Sequence, residues 1–392
     1  MNAINFEGKK ALLRVDFNVP LNENFEVTDA TRIQSAKPSI SKVLKDGGAV
    51  VLMSHLGRPK EVEEKYSLKH IVNKVSEILN VQVKFVSDCV GEKAEKAVAN
   101  LKMGEVLLLE NLRFHPEEKA GDVNFAKQLS KLGDIYINDA FGTAHRAHAS
   151  TTIIDQFFPN NKCFGFLLTK EIESINRVLE EGEKPVLAIL GGAKVSSKIT
   201  VIENILEKVD HLILGGGMSF TFIKAQGGSI GDSICEDDKQ ELALTILKLA
   251  KEKGVQIHLP VDVVAADGFS NDANTQICDI NNIPNGWQGL DAGLKSVEIF
   301  DKIVNESKTI LWNGPLGVFE LDKFAKGTIA LGNSIAKATK NGAFSLVGGG
   351  DSVAAVKQFG FANKVSYVST GGGAMLESLE GKTLPGIEAM LK

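Results

Sequence analysis

Two lysines beside a glycine pair are the first groups in this sequence that could do chemistry. In Gly191-Gly192-Ala193-Lys194-Val195-Ser196-Ser197-Lys198 they follow an apolar run, Pro185 to Leu190, and open a helical pattern. Lys194 and Lys198 are four apart, a spacing that predicts one helix face. Their ammonium groups over a glycine turn suit a polyphosphate. Glycine has no Cβ to hold a ligand away from backbone N–H groups, and a helix start adds a positive dipole end. Without the adjoining glycines the pair would read as solvated surface lysines. Three further strand-like runs stop at glycine clusters: His211 to Leu214 at Gly215-Gly216-Gly217, Ala343 to Val347 at Gly348-Gly349-Gly350, and Val365 to Val368 at Ser369-Thr370-Gly371-Gly372-Gly373. Four such turns in one half of the chain predict a site for a heavily anionic ligand, most simply a nucleotide.

Asp351 follows the third cluster and precedes a helix expected over Ser352 to Phe359. It has two readings, an N-cap or a ligand to Mg²⁺, which favours a carboxylate together with phosphate oxygens. A carboxylate beside a phosphate-binding turn repels the ligand unless a metal lies between them, which favours the metal. The turn-rich loop Trp312-Asn313-Gly314-Pro315-Leu316-Gly317-Val318-Phe319-Glu320 offers an apolar surface for a purine and, in Glu320, an acceptor for a ribose, while Trp312 itself reads as core. The first half lacks glycine clusters and carries spaced cations instead: Arg14 with Asp16, Arg32, His55-Leu56-Gly57-Arg58, Arg113 and His145-Arg146. Most fall at or just after strand ends, with Arg32 ahead of a helix expected at Pro38. Singly each is a surface charge. Together they would hold a small anion, since guanidinium forks match carboxylate and phosphate in bidentate fashion. His145 and His148 lack a third ligand in sequence reach, which argues against a metal there.

The elements that must position these groups alternate throughout. Strand-like runs are Ala11 to Val19, Ala49 to Met53, Val81 to Val86, Glu105 to Leu109 and Asp134 to Asn138 in the first half. The second half adds Val255 to Val261 and Lys308 to Trp312 to the four runs above. Helical patterns such as Leu68 to Leu79 and Asp238 to Lys253 lie between them. Short buried strands separated by helices read as βαβ units, so the fold class is α/β with two doubly wound parallel-sheet domains. Ligands of such sheets gather at the carboxyl ends of the strands, where the glycine clusters sit. Leu168, Ile172, Ile175 and Leu179 recur at helical spacing and the segment stops at Gly182, which predicts a connecting helix. The expected division is an N-terminal domain over 1–166, an interdomain helix over 167–182 and a C-terminal domain over 183–383.

With 392 residues, two domains are the default. A net charge of −5 argues against nucleic-acid binding, which calls for a basic stripe. Cys89, Cys163, Cys235 and Cys278 form no C-x-x-C and read as reduced thiols. The first ten residues show no signal-peptide pattern and no apolar run reaches membrane length, so the expectation is a cytosolic protein without nucleic-acid or membrane partners. The Walker pattern fails because Leu376 stands where Gly381-Lys382-Thr383 would need a glycine, and G-x-G-x-x-G fails at Phe220.

At these residues the sequence resembles the phosphoglycerate kinase family, from end to end. The resemblance rests on Arg14-Val-Asp-Phe-Asn-Val-Pro20, Ser54-His-Leu-Gly-Arg-Pro59, Glu110-Asn-Leu-Arg-Phe-His115, Asn138 to His148, Gly191-Gly-Ala-Lys194, Trp312-Asn-Gly-Pro315, Gly348-Gly-Gly-Asp351, Gly371 to Glu377 and Leu384-Pro-Gly386. Ser352 stands where many members carry Thr. The resemblance implies two Rossmann-like domains facing across a cleft, with 384–392 returning to the first. It implies that Asp16, Asn18, Arg32, His55, Leu56, Gly57, Arg58, Arg113 and Arg146 hold 3-phosphoglycerate or 1,3-bisphosphoglycerate. Gly192, Ala193, Lys194, Lys198, Gly215, Gly216, Asn313, Pro315, Glu320, Gly349, Gly350, Asp351 and Ser352 would hold ADP or ATP, with Asp351 on Mg²⁺. Arg32 and Lys198 are assigned to the transferring phosphoryl group, with Lys194 and the amides of Gly350 and Gly373 assisting. Direct in-line transfer after hinge closure, in a monomer of glycolysis, is the activity implied. A nicotinamide dehydrogenase and a non-catalytic two-lobed anion binder are the rivals. The first lacks its glycine fingerprint, and the second has no need of Lys194, Lys198 and Asp351 at one corner.

Overall fold

The computed structural model describes residues 1–392. The chain divides into two compact units, Met1–Ile172 with Thr383–Lys392, and Glu173–Lys382. In the first unit the strands are β1 Lys10–Val15, β2 Ala49–Met53, β3 Val83–Val86, β4 Val106–Leu109, β5 Ile135–Asp139 and β6 Lys162–Phe164. They pair in the order β3-β4-β2-β1-β5-β6, all parallel. The helices are α1 Thr31–Lys45, α2 Val72–Leu79, α3 Gly91–Ala99, α4 Pro116–Ala120, α5 Val123–Ser130 and α6 Phe166–Leu179. Successive strand residues feed opposite faces. Leu13 and Val15 pack with Ile33, Ala36, Ile40 and Val43 of α1, while Leu12, Val51 and Met53 pack with Val98, Phe125 and Leu129. Covering both faces makes the strands continuously apolar, as parallel sheets require.

The second unit begins inside α6. Its strands are β7 Val186–Leu190, β8 His211–Leu214, β9 Ser229–Ile230, β10 Gln256–His258, β11 Asp262–Ala266, β12 Thr275–Asp279, β13 Asn282–Ile283, β14 Gln288–Ala292, β15 Thr309–Asn313, β16 Phe344–Val347 and β17 Tyr367–Val368. Its helices are α7 Ile199–Ile205, α8 Met218–Ala225, α9 Gln240–Glu252, α10 Leu294–Glu306, α11 Lys326–Lys340, α12 Gly350–Gln358 and α13 Gly373–Leu379. A six-stranded parallel sheet runs β10-β8-β7-β15-β16-β17. The last helix, α14 Pro385–Leu391, belongs to the first unit. There Gly386 N donates to Ala144 O at 2.9 Å and Asn138 Nδ2 to Gly386 O at 3.2 Å.

Two expectations are corrected, and two elements appear that the sequence did not suggest. The helix expected at Pro38 starts at Thr31 and contains Pro38. Proline interrupts the helical hydrogen bonds there, but Pro38 and Gln34 face solvent, which can satisfy the freed carbonyl. Arg32 therefore lies in the first turn of α1 rather than ahead of it. The run Val255 to Val261 is not one strand, because β10 ends at His258 before Pro260, which has no N–H for a ladder. A three-stranded antiparallel sheet, β12-β11-β14, lies beyond it. Its largely exposed β12 shows no apolar alternation to betray it. Finally, β6 is a three-residue edge strand, too short for a pattern.

Candidate active site

In the first unit β1 and β5 are neighbours whose onward connections run in opposite directions, β1 to β2 and β5 to β6. That switch point is where a doubly wound sheet opens a crevice at its carboxyl ends. Asp16 and Asn18 follow β1. Arg32 Nη1 lies 3.0 Å from Asp16 Oδ2 and donates to Asn18 O at 3.0 Å. Asn18 Oδ1 accepts from Gly57 N at 2.8 Å, and Arg113 Nη1 donates to Gly57 O at 2.8 Å. Leu56 is fixed on both sides of its peptide by the Asn111 side chain, at 3.3 and 2.8 Å. Asp16, Asn18, Arg32, Leu56, Gly57 and Arg113 thus belong to one bonded cluster.

His55 is buried in the same cluster, and burial holds its imidazole well below the usual histidine range, with Arg14, Arg113 and Arg32 adding to the effect. The ring is neutral at pH 7. Arg113 is lowered to about 10, by burial first and then by Arg14, with Arg58 contributing. Its Nε is buried without a hydrogen-bond partner. Cations that disfavour one another, with an unsatisfied buried donor among them, make a cluster that an anion would stabilise. Arg58 and Arg146 are exposed, and each acts on this cluster through its charge, Arg58 on Arg113 and Arg146 on His148.

Arg14 does not join the anion-facing group as expected. It is fully buried, donating from Nε to Ser150 Oγ at 2.9 Å and from Nη1 to Val15 O, with Nη2 3.3 Å from His55 Nδ1. Ser150 in turn donates to the buried Glu118, from Oγ at 2.6 Å and from N at 3.0 Å. Sequence reasoning missed Glu118, Ser150 and Asn111. Only Asn111 stood inside a recognisable motif.

Burial also lowers His148 to about 4, helped by Arg113, Arg14 and Arg146. Between about pH 6.5 and that value the unfolded chain binds a proton that the folded chain refuses. This histidine therefore makes stability fall as pH falls, by up to about 1.4 kcal/mol per unit. Asp139 and Asp291, raised by burial to about 6 and about 7, act in the opposite sense as pH rises through those values. His148→Gln is expected to flatten the acid side of the stability profile relative to the parent. Urea unfolding at pH 6.5 and 4.5 measures the difference, and equal slopes for the two proteins would refute the assignment.

In the second unit the corresponding switch point lies between β7 and β15. Here Gly191 N donates to Asn313 O at 3.1 Å, and a Cβ on Gly191 would stand 2.1 Å from Pro315 O. Gly216, at φ +65°, presses on Gly192 and Pro315 in the same way. Gly215 N donates to Leu190 O at 2.9 Å. Gly191→Ala is expected to cost about 2–3 kcal/mol, since the obstructing atoms are backbone and cannot rotate away. Gly350→Ala meets nothing within 4 Å and is expected to stay within about 0.5 kcal/mol. Urea midpoints of the two variants make the comparison, and equal stabilities would be the contrary result.

Lys198 Nζ bonds Asn313 Oδ1, and Asn313 Nδ2 donates to Gly348 O at 3.0 Å. Burial lowers the Lys198 ammonium from its ordinary value, against the opposing pull of Asp351 and Glu380. Ser352 Oγ accepts from Gly314 N at 2.5 Å. Gly349, at φ +89°, abuts the Asn313 amide. Beside this corner lies a cavity of about 630 Å³ lined by Gly192, Ala193, Gly216, Pro315, Glu320 and Asp351. Phe220, Ile234, Phe269, Leu290 and Leu316 give it apolar walls. Trp312 is core, as expected, fully buried with Nε1 donating to Gly314 O at 2.8 Å. Gly373 starts α13, whose Met375 packs onto Gly348, bringing the fourth glycine cluster beside the third.

One expectation changes here, and one of two open readings is set aside. Lys194 and Lys198 do not share a helix face, because α7 begins only at Ile199. The Glu236 carboxylate accepts from Ser196 N at 2.9 Å and from Ser196 Oγ at 2.5 Å, and Ser197 Oγ donates to Lys194 O, holding a turn instead. Lys194 is exposed on that turn and acts electrostatically on Glu236. Asp351 is not an N-cap. Gly349 takes that position, leaving Asp351 in the first turn of α12, exposed and lining the cavity.

Two six-stranded parallel sheets, one of them ending at a glycine-lined corner, define a doubly wound α/β protein with a ligand crevice at its strand tips. The particular family follows from its sequence profile, which matches residues 1–382: the chain belongs to the phosphoglycerate kinase family. The phosphoglycerate kinase of Porphyromonas gingivalis is 55% identical, with 98% of each chain covered. That of Nicotiana tabacum, a cytosolic form, is 52% identical over 98% of this chain and 96% of its own. Among solved structures, phosphoglycerate kinase from Coxiella burnetii matches with a TM-score of 0.92 at 41% identity, covering 100% of this chain and 98% of that one. No helix is long and apolar enough to cross a membrane.

Proposed function

We propose that this chain transfers a phosphoryl group reversibly between 1,3-bisphosphoglycerate and ADP, giving 3-phosphoglycerate and ATP, as a step of glycolysis. The observation that carries this reading is the corner at β7 and β15. There Gly192, Ala193, Gly216, Glu320 and Asp351 line a cavity with apolar walls, and Lys198, bonded to Asn313, and Gly349, packed on Asn313, stand beside it, an arrangement that suits an adenine nucleotide. Family membership supplies the reaction class.

In this reading Arg32, Arg58, Arg113 and Arg146 neutralise the triose. Neutral His55 adds a single hydrogen bond without a further charge, and Asp16 and Asn18 hold Arg32 in place. Gly192, Ala193, Gly215, Gly216 and Pro315 floor the nucleotide site, Glu320 meets the ribose, and Lys194, Lys198 and Ser352 meet the phosphates. Asp351 fits Mg²⁺: a single exposed carboxylate at a helix start beside phosphate-binding amides needs a cation between it and the ligand. When bound, the metal offsets charge on the phosphate oxygens. In the ATP-consuming direction the nucleophile is a carboxylate, ionised at neutral pH, so the site requires no general base. Arg32 and Lys198 stabilise the transferring group, with the amides of Gly350 and Gly373 as fixed donors. In-line transfer needs the reacting atoms within about 3–3.5 Å, and this reading includes hinge closure once both substrates are bound. The four unpaired thiols suit a reducing, cytosolic compartment.

A coupled assay of ATP formation from 1,3-bisphosphoglycerate and ADP, run with Mg²⁺ and again with excess chelator, tests the proposal. Turnover with metal and little without it is expected. No ATP in either arm would refute the activity, and equal rates in both would refute the metal.

A further inference from the structure

Away from that chemistry, the first unit brings together three side chains of different metal-ligating types. Asp88 and Cys89 lie in the connection from β3 to α3, and His115 in the connection from β4 to α4. Their ligand atoms all lie within 4.8 Å of one another. His115 Nε2 is 2.9 Å from Asp88 Oδ1, and the same oxygen accepts from Cys89 N at 2.8 Å. The imidazole is steadied by Phe125, with ring centroids 5.2 Å apart. Cys89 is fully buried, whereas the His115 and Asp88 side chains are 31% and 38% exposed. One ligand is anchored in the core and two stand at an open mouth.

We propose that Asp88, Cys89 and His115 bind a divalent transition-metal ion of the zinc type, with water as the fourth ligand. Carboxylate, thiolate and imidazole are the donor set Zn²⁺ takes, and three protein ligands with one open position is a known zinc arrangement. A tetrahedral ion spaces its ligand atoms roughly 3.3–3.6 Å apart. The His115–Asp88 pair must open slightly and the thiol must swing inward, movements that side-chain rotation supplies. On binding, the Cys89 S–H bond breaks, an S–Zn bond forms, and the proton passes to water. His115 coordinates through Nε2 with its remaining proton on Nδ1. The ion would tie the β3–α3 connection to the segment that carries Arg113, two residues before His115.

The test uses Co²⁺ as a spectroscopic probe on the full chain, with Zn²⁺ as competitor. One equivalent of Co²⁺ is expected to give a thiolate-to-cobalt charge-transfer band that Zn²⁺ removes. The band should vanish in Cys89→Ser, and affinity should fall at least tenfold in His115→Gln and in Asp88→Asn. The latter two changes are at the surface and keep the reading open if the cysteine variant does not fold. A parent protein without the band, a band that survives in Cys89→Ser and so arises at Cys163, Cys235 or Cys278, or unchanged affinity in both surface variants would each overturn the proposal. None of these readouts depends on kinase activity, so they stand apart from the functional proposal.

Discussion

Replacing Arg32 by alanine is expected to lower kcat by about 10²–10³-fold while leaving KM for ADP nearly unchanged. The magnitude is that of removing one preorganised donor from a transferring group. Selectivity follows from position. Arg32 stands in the first turn of α1, paired with Asp16 and bonded to Asn18 O, in the unit other than the one that holds the glycine-lined cavity. Its loss also leaves Asp16 as an uncompensated carboxylate facing an anion, so KM for the triose should rise. Arg32→Lys keeps the charge but not the planar fork, and should fall between parent and alanine. Lys198→Ala is expected to behave differently, losing both turnover and nucleotide affinity, because the ammonium is bonded to Asn313 in the glycine-lined corner beside the cavity. Steady-state kinetics with each substrate varied in turn separates the two patterns. A kcat that survives in Arg32→Ala would remove that residue from the reaction.

The second large effect is on stability. Glu118→Ala is expected to destabilise the chain by about 3–5 kcal/mol. The Arg14 guanidinium is fully buried, and its negative counterpart reaches it only through the Ser150 hydroxyl. Removing the carboxylate strands a buried cation and frees both donors of Ser150. Glu118→Gln keeps an acceptor and the volume, so it should lose less. Urea unfolding at pH 7 distinguishes them. An alanine variant as stable as the parent would mean that the network contributes nothing.

The parts legible in the sequence were those set by local pattern. Apolar runs such as Ala49 to Met53 and His211 to Leu214 coincide with β2 and β8, since a strand buried on both faces has no polar alternation to blur its ends. The glycine clusters marked the strand tips correctly because backbone packed on backbone leaves no room for a Cβ, as at Gly191 against Pro315. The errors came where distant residues override local preference. The Lys194 to Lys198 spacing read as helix, but Glu236, forty residues on, captures Ser196 and holds a turn. Pro38 read as a helix start, but the apolar stripe of Ile33, Ala36, Ile40 and Val43 outweighs one lost hydrogen bond. The antiparallel sheet around β11 went unread because one of its strands, β12, is mostly solvated and carries no apolar alternation.

The family membership of this chain was fixed by its residues alone, because ordered motifs such as Gly348-Gly349-Gly350-Asp351 do not recur by accident along 392 positions. The α/β class followed from periodicity, since burial on both faces of a sheet dictates which residues its strands contain. Tertiary structure alone decided which cations face outward and which are sealed. Arg14 and Arg113 look alike in sequence, yet one is enclosed by Ser150, Val15 and His55 while the other keeps an unpartnered Nε. That choice depends on partners up to 136 residues away along the chain, and no local spacing encodes them.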